Sequence, residues 1–254
     1  MRPASARVLL TGASGGIGAA MATALRDAGA QVLGVGRGAS DDPSWVQADL
    51  ASAAGRAAVL AAAQRWRPNV VVQAAGLPGF GRLQELPPDE IERVLQLNLL
   101  APMLLTQGLL PQLRAQGPTQ LIFVGSALGR IGLPGFSVYG AGKAGLHGFA
   151  EALRRELADT NIRVQLLAPR ATRTAFNSAA VDAHNERTGT ASDAPETVAK
   201  ALVELLQSEA AERFIGLPER LGVRVNGLLG PLLDGSFAKH RRSLDAPPTQ
   251  AITT

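Results

Sequence analysis

The sequence predicts an α/β protein, a doubly wound parallel sheet with helices on both faces, built as a single domain over residues 1–254. Three observations carry this. Short apolar runs alternate with longer alanine-rich or amphipathic segments along the chain, instead of strands followed by helices. The runs VVVQ at 70–73 and LIFV at 121–124 are apolar almost throughout, as strands covered on both faces of a parallel sheet require. The first run ends in a glycine-rich turn that opens directly into a helical pattern.

Each element follows from its local pattern. Arg7 to Leu10 is a strand, and its position directly before the glycines distinguishes it from a signal peptide. Ile17 to Ala28 is a helix, with Ile17, Met21 and Leu25 on one face and Gly29 to end it. Gln31 to Val35 and the short Val46–Gln47 are strands. Ala51 to Trp66 is helical, and Pro68 stops it. After the strand from Val70 to Gln73, residues Pro88 to Gly108 hold one or two helices around Pro102. Leu121 to Val124 is a strand, Tyr139 to Asp159 a helix, Ile162 to Leu167 a strand and Pro195 to Gln207 a helix. Phe214–Ile215 is a short strand candidate. Residues 170–194 lack periodicity and are long for a connection, so they are expected to form a substrate-binding lid. No linker rich in proline and glycine divides the chain.

Composition narrows the function. The net charge is only +4 and no basic patch precedes the C-terminus, which argues against nucleic acid as a partner. The absence of cysteine removes disulfides, thiolate catalysis and sulfur-based zinc sites. His147, His184 and His240 are scattered and make no metal-ligating motif. No run of 18 apolar residues predicts a membrane span, and the default location is cytoplasmic.

The first strand runs into Thr11, Gly12, Ala13, Ser14, Gly15, Gly16, Ile17 and Gly18 before the helix begins. Glycines at a strand's carboxyl end let the backbone approach a pyrophosphate, and the helix N-terminus supplies unpaired N–H groups. The alternative is a merely tight turn. No Lys-Ser/Thr follows the glycines, so this is not a P-loop. The second strand leads into Gly36 and Arg37, where an NAD site often has an acid. An arginine fork suits a 2′-phosphate, so NADPH is the preferred cofactor and NAD the alternative; a solvated arginine is the bland reading. Asp49 and Leu50 either meet the adenine or, for Asp49, cap the next helix. Ala74, Ala75 and Gly76 are small enough for close approach of a flat ligand, or for helix–sheet packing.

Ser126 follows a strand, and Tyr139, the only tyrosine, precedes Lys143 by one helical turn. Residues i and i+4 share a helix face, so the phenol and the amine point into one space. An ammonium beside a phenol is expected to lower its pKa from near 10, giving a general acid or base, while Ser126 donates to the same substrate oxygen. A Tyr–Lys pair alone is more often surface decoration. Its coincidence with Ser126 and the glycine turn argues for chemistry.

With these motifs in order, the chain resembles a short-chain dehydrogenase/reductase over roughly residues 5–175, a Rossmann-like fold. TGxxxGxG matches Gly12, Gly16 and Gly18, the serine matches Ser126, and YxxxK matches Tyr139 and Lys143. The resemblance implies that Tyr139 is the acid/base, that Ser126 orients the carbonyl, and that Lys143 holds the nicotinamide ribose. It also implies that Asn98 holds a water relaying protons through Lys143. Gln73 and Ala74 replace two asparagines of the family pattern, which should weaken support of the loop near the adenine. Pro169, Thr172 and Thr174 are expected around the nicotinamide, Thr174 matching the threonine at its carboxamide. Arg170 stands where the family has glycine; it and Arg173 face either the pyrophosphate or an anionic substrate.

The expected activity is NADPH-dependent reduction of a lipophilic ketone, aldehyde or 3-oxoacyl-type compound. Leu128, Ile131, Leu133, Phe136 and Phe176 are its pocket candidates. The alternatives are NAD-dependent alcohol oxidation and a non-catalytic dinucleotide sensor or scaffold, the latter supported by the changes at Gln73, Ala74 and Arg170. The resemblance implies a homodimer or homotetramer joined through the helices around Asn98–Pro111 and Tyr139–Asp159. Residues 221–254 form a basic amphipathic extension, read as a solvated terminus, with weak contact to a membrane surface or packing on a subunit as its other readings.

Overall fold

The computed structural model describes residues 1–245, without the side chains of 217–220. Seven parallel strands form one sheet: β1 (Arg7–Thr11), β2 (Gln31–Gly36), β3 (Trp45–Gln47), β4 (Val70–Gln73), β5 (Thr119–Val124), β6 (Ile162–Ala168) and β7 (Glu212–Phe214), in the order β3-β2-β1-β4-β5-β6-β7. The order reverses between β1 and β4. That switch point opens a crevice beyond the strands' carboxyl ends, where a doubly wound sheet takes its ligands.

Two apolar layers hold the sheet. On one face α1 (Gly16–Asp27) and α7 (Pro195–Ser208) bury Met21, Leu25, Val198 and Leu202 against Val8, Leu10 and Val72. On the other, α2 (Ala53–Trp66), α4 (Ala101–Arg114) and α5 (Ser137–Glu156) bury Val59, Leu105, Leu109 and Leu146 against Leu9, Val71 and Phe123. Both faces of β1, β4 and β5 are covered, which is why these strands read as unbroken apolar runs.

The helical rod from Pro88 to Arg114 is one continuous feature. It runs from α3 (Pro88–Leu95) through a wide turn at Gln96–Leu100 into α4. The Ala101 N–H reaches back five residues to the Gln96 carbonyl. Pro102 has no N–H, so the Asn98 carbonyl loses its ordinary helical partner. By length and composition this rod is the one described helix that passes for a membrane span, but Leu105, Leu109 and Leu113 lie in the core.

Two expected segments gain structure, and the alternative of an Asp49 cap is corrected. The expected lid at 170–194 contains a helix, α6 (Ala179–Thr188), capped by Ser178 at one end and by left-handed Gly189 at the other. Only Val181 and His184 of this helix are buried, too few to give a periodic signal. The helix α2 is capped by Ser52, whose hydroxyl accepts from the Gly55 N–H, and not by Asp49. The extension from 221 is not merely a basic solvated tail. Through residue 245 it comprises most of α8 (Leu217–Leu233) and α9 (Ala238–Ser243), and the rest lies outside the described residues.

Candidate active site

The glycine turn between β1 and α1 is set by its own packing. Gly12 adopts φ +73°, and a Cβ there would stand 2.8 Å from the Ala75 backbone. A Cβ on Gly18 would stand 2.0 Å from the Gly12 carbonyl oxygen. The helix begins at Gly15 without a side-chain cap, so the first amides of α1 keep their donors for an anion. The Thr11 hydroxyl accepts from the Ala74 and Ala75 N–H groups at 3.1 and 3.2 Å. It thereby fastens the Ala74–Gly76 loop that the resemblance expected asparagines to support. Gln73 turns away and donates to Thr106 Oγ1 at 2.8 Å and to the Pro102 carbonyl at 3.2 Å.

Arg37 is exposed at the end of β2, and its guanidinium enters no ion pair among the described residues. Its carbonyl accepts from Gln47 Nε2 at 3.0 Å. Beside it Trp45 lies flat on β2: Cβ atoms at Gly34 and Gly36 would meet its ring at 2.8 and 2.5 Å, and Ser14 Oγ is 2.9 Å from the Gly36 position. Asp49 is exposed, with Oδ1 accepting from the Ala51 N–H, whereas Leu50 is buried in the core. Ile17 packs against the α1 layer.

Ser126, Tyr139, Lys143 and Asn98 come together at the ends of β4 and β5. Gly129 lets the short turn Ala127–Gly129 rest directly on α5, since a Cβ there would stand 2.8 Å from the Lys143 carbonyl oxygen. That contact sets Ser126 beside Tyr139, near enough for the serine hydroxyl to favour the ionised phenol. Ser126 Oγ also accepts from the Leu128 N–H at 3.1 Å. Lys143 Nζ lies 5.7 Å from the tyrosine ring centroid and donates to the Val124 carbonyl at 2.9 Å. Asn98 is buried, and its amide exchanges two hydrogen bonds with the Leu77 backbone, at 2.8 and 2.9 Å. A Cβ on Gly76 would meet Asn98 Oδ1 at 3.1 Å and Lys143 Nζ at 3.7 Å.

The electrostatics differ from the sequence expectation. Burial pushes the Tyr139 phenol up to about 12, and the nearby Ser126 hydroxyl opposes this without overcoming it. Burial pushes Lys143 down to about 8. The expected lowering of the phenol by a neighbouring ammonium therefore does not hold here: desolvation of both groups dominates. At neutral pH the phenol keeps its proton and is a donor.

The segment after β6 separates the expected residues. Pro169 is buried and its carbonyl accepts from the Ala127 N–H at 2.9 Å. Thr174 covers the glycine turn, its Cγ2 standing 2.6 Å from a Cβ placed on Gly16. Thr172 is buried, and its hydroxyl donates to the Arg170 carbonyl at 3.0 Å. Arg170 is engaged within the protein: its fork donates to both carboxylate oxygens of Asp193, at 3.0 and 2.8 Å. Its φ is not positive, so the family's glycine is not needed for conformation. Arg173 donates to the Ser192 carbonyl at 2.5 Å. Asp193 had no sequence signal, because its partner lies 23 positions away.

Of the expected pocket residues, Phe136 and Phe176 flank Tyr139 with centroid distances of 6.5 and 6.2 Å. Leu128, Ile131 and Leu133, together with Phe136, line a cavity of about 1190 Å³ between α5, α7, β7 and α8, which Tyr139 and Phe176 do not line. Phe80 and His184, both missed in the sequence, extend the aromatic wall behind Phe136.

Comparison with known proteins agrees with this geometry. The short chain dehydrogenase family model matches residues 6–185. Oxidoreductase claN of Passalora fulva is 36% identical over 185 residues, covering 67% of this chain and 84% of its own. The 3-oxoacyl-acyl-carrier-protein reductase FabG of Escherichia coli strain K12 is 28% identical over 224 residues, covering 80% and 90%. A short-chain dehydrogenase from Sphingobium yanoikuyae, solved in complex with NADPH, superposes with a TM-score of 0.73 at 25% identity, over 90% of this chain and 96% of its own. The chain belongs to the short-chain dehydrogenase/reductase family of oxidoreductases.

Proposed function

We propose that the protein reduces an apolar ketone, aldehyde or 3-oxoacyl-type carbonyl to the alcohol with NADPH, and that Tyr139 gives the proton. The observation that carries this reading is the convergence of the Ser126 and Tyr139 hydroxyls, with Lys143 Nζ 5.7 Å from the phenol ring. The cofactor fits the residues present: uncapped amides at the start of α1 suit the pyrophosphate, and the exposed Arg37 suits a 2′-phosphate. The NADPH complex of the Sphingobium relative and the 3-oxoacyl substrate in the name of the Escherichia coli relative support the choice.

When bound, NADPH supplies a hydride to the carbonyl carbon. Tyr139, protonated at neutral pH, passes its proton to the carbonyl oxygen. The Leu128 N–H already occupies an acceptor site on Ser126 Oγ, which leaves the serine's own proton to donate to that oxygen. Lys143 holds positive charge near the phenol and stabilises it as it loses its proton. Asn98, held by the Leu77 backbone close to Lys143, would hold a water that returns protons through the lysine, as the family resemblance implies. Phe136 and Phe176 give the cleft an apolar lining.

The test is NADPH consumption against a panel of ketones, aldehydes, quinones and 3-oxoacyl thioesters, with NADPH binding followed by fluorescence. Turnover with one class, and tighter binding of NADPH than NADH, supports the reading. Binding without turnover on any carbonyl would favour a non-catalytic sensor on the same fold.

A further inference from the structure

The C-terminal segment returns to the catalytic tyrosine through a buried pair of side chains. His184 of α6 is 1% exposed, and both its ring nitrogens are engaged. Nδ1 meets the hydroxyl of Ser243 at the end of α9, and Nε2 meets His240 Nδ1 at 3.3 Å. A neutral histidine has one donor and one acceptor nitrogen, and with a partner on each the ring's orientation is held. The same two helices are tied twice more. Arg187 Nη2 donates to the Ser243 carbonyl at 3.1 Å, and Lys239 Nζ donates to the Thr188 carbonyl at 2.9 Å, at the negative end of α6.

Beyond α9 the chain closes on the cleft. Asp245 pairs with Arg82. Leu244 and Phe80 press on Gly135, where a Cβ would stand 2.8 Å from each and where φ is +87°. On the inner side the His184 ring lies 5.1 Å from Phe80 and 5.8 Å from Phe136, and Phe136 lies 6.5 Å from Tyr139. An unbroken aromatic wall thus runs from the hydrogen-bonded pair to the catalytic phenol.

We propose that residues 238–245 form the outer wall of the substrate cleft, and that the Ser243–His184 hydrogen bond locks lid helix α6 to it and so sets which aromatic carbonyl compounds fit. Ser243 and His184 are positioning residues, acting through Phe80 and Phe136. The substrate class rests on the carbonyl-reduction reading; the lock between the two helices does not.

The experiment compares the wild type with Ser243→Ala and Ser243→Thr. Hydrogen–deuterium exchange is read over residues 179–188, and NADPH oxidation is followed with acetone and with aryl ketones of increasing size. Ser243→Ala is expected to raise exchange in α6 about fivefold or more, as loss of one buried hydrogen bond implies. It should shift KM for the largest aryl ketone by a similar factor, with kcat and NADPH affinity changed less than about twofold. Ser243→Thr, which keeps the hydroxyl, should restore both. Asp245→Ala, at a side chain 68% exposed, removes the outer tie without disturbing the core and should move KM the same way. Unchanged exchange in Ser243→Ala overturns the lock. Equal losses of kcat for acetone and large ketones overturn the specificity role. If the wild type reduces no carbonyl, the proposed reaction and the wall's role in it both fall, while the exchange data still decide the lock.

Discussion

Arg37 and Lys143 carry the cofactor and proton arguments at the level of single residues. Arg37 reaches solvent with its charge unpaired among the described residues, so a bound phosphate has no competing carboxylate there. Arg37→Gln should weaken NADPH binding by about ten- to a hundredfold, leaving NADH nearly unchanged, as loss of a charge-assisted fork implies. Titrating both nucleotides against the variant checks this ratio. Lys143 is pushed down to about 8 by burial, so its charge is present below that pH and lost above it. Tyr139, near 12, still holds its proton there. Carbonyl reduction should therefore be flat through the neutral range and fall as pH rises past about 8, limited by the lysine and not the phenol. A kcat/KM profile from pH 6 to 10 with saturating NADPH checks it.

At the level of elements, the segment 170–194 is anchored where the sequence suggested ligand contacts. Arg170 and Asp193 form a bidentate pair with side chains only 23% and 11% exposed, and Thr172 bridges the Asp193 strand-wise. Asp193→Asn removes the carboxylate charge that meets the arginine's fork and should cost about 1–3 kcal/mol, read as a fall in Tm. Much of the architecture was legible beforehand, because β1, β4 and β5 are buried on both faces and the glycine turn sits directly after a strand. Ser126, Tyr139 and Lys143 were legible for a similar reason, one just beyond a strand end and two on one helical face, whereas Asn98, in the turn between α3 and α4, was reached only through the family resemblance. What escaped the sequence depends on long-range partners. α6 buries only two side chains, Asp193 finds its arginine 23 positions back, and Ser243 finds His184 at a separation of 59. The phenol's pKa was misjudged because burial, which no spacing reveals, sets the direction of its shift.

At the level of the whole molecule, helices α6 and α9 pack together beside the candidate site, and their buried histidine makes stability depend on pH. His184 is held well below the usual histidine value, at about 4, first by burial and then by the charges of His240 and Arg187. His240 is lowered as well, by burial and by Lys239. An unfolded histidine takes up a proton near pH 6.5, whereas the folded His184 does so only near 4. Its contribution is therefore fully present above about 6.5 and is lost as pH falls toward 4, by up to about 3 kcal/mol. Denaturant titrations at pH 7 and 5 should show that loss in the wild type and a smaller one in His184→Asn. The molecule also presents an apolar stripe on α8, where Leu221, Leu228 and Leu232 are 65%, 84% and 81% exposed, so its oligomeric state is a natural companion measurement.

The account depends most directly on Tyr139 as the proton donor. The measurement is steady-state NADPH oxidation by wild type and Tyr139→Phe with the best carbonyl of the panel, alongside NADPH affinity. The account predicts that kcat falls by about a thousandfold or more while NADPH binds as before. A phenylalanine variant that keeps turnover within about tenfold of wild type would contradict it.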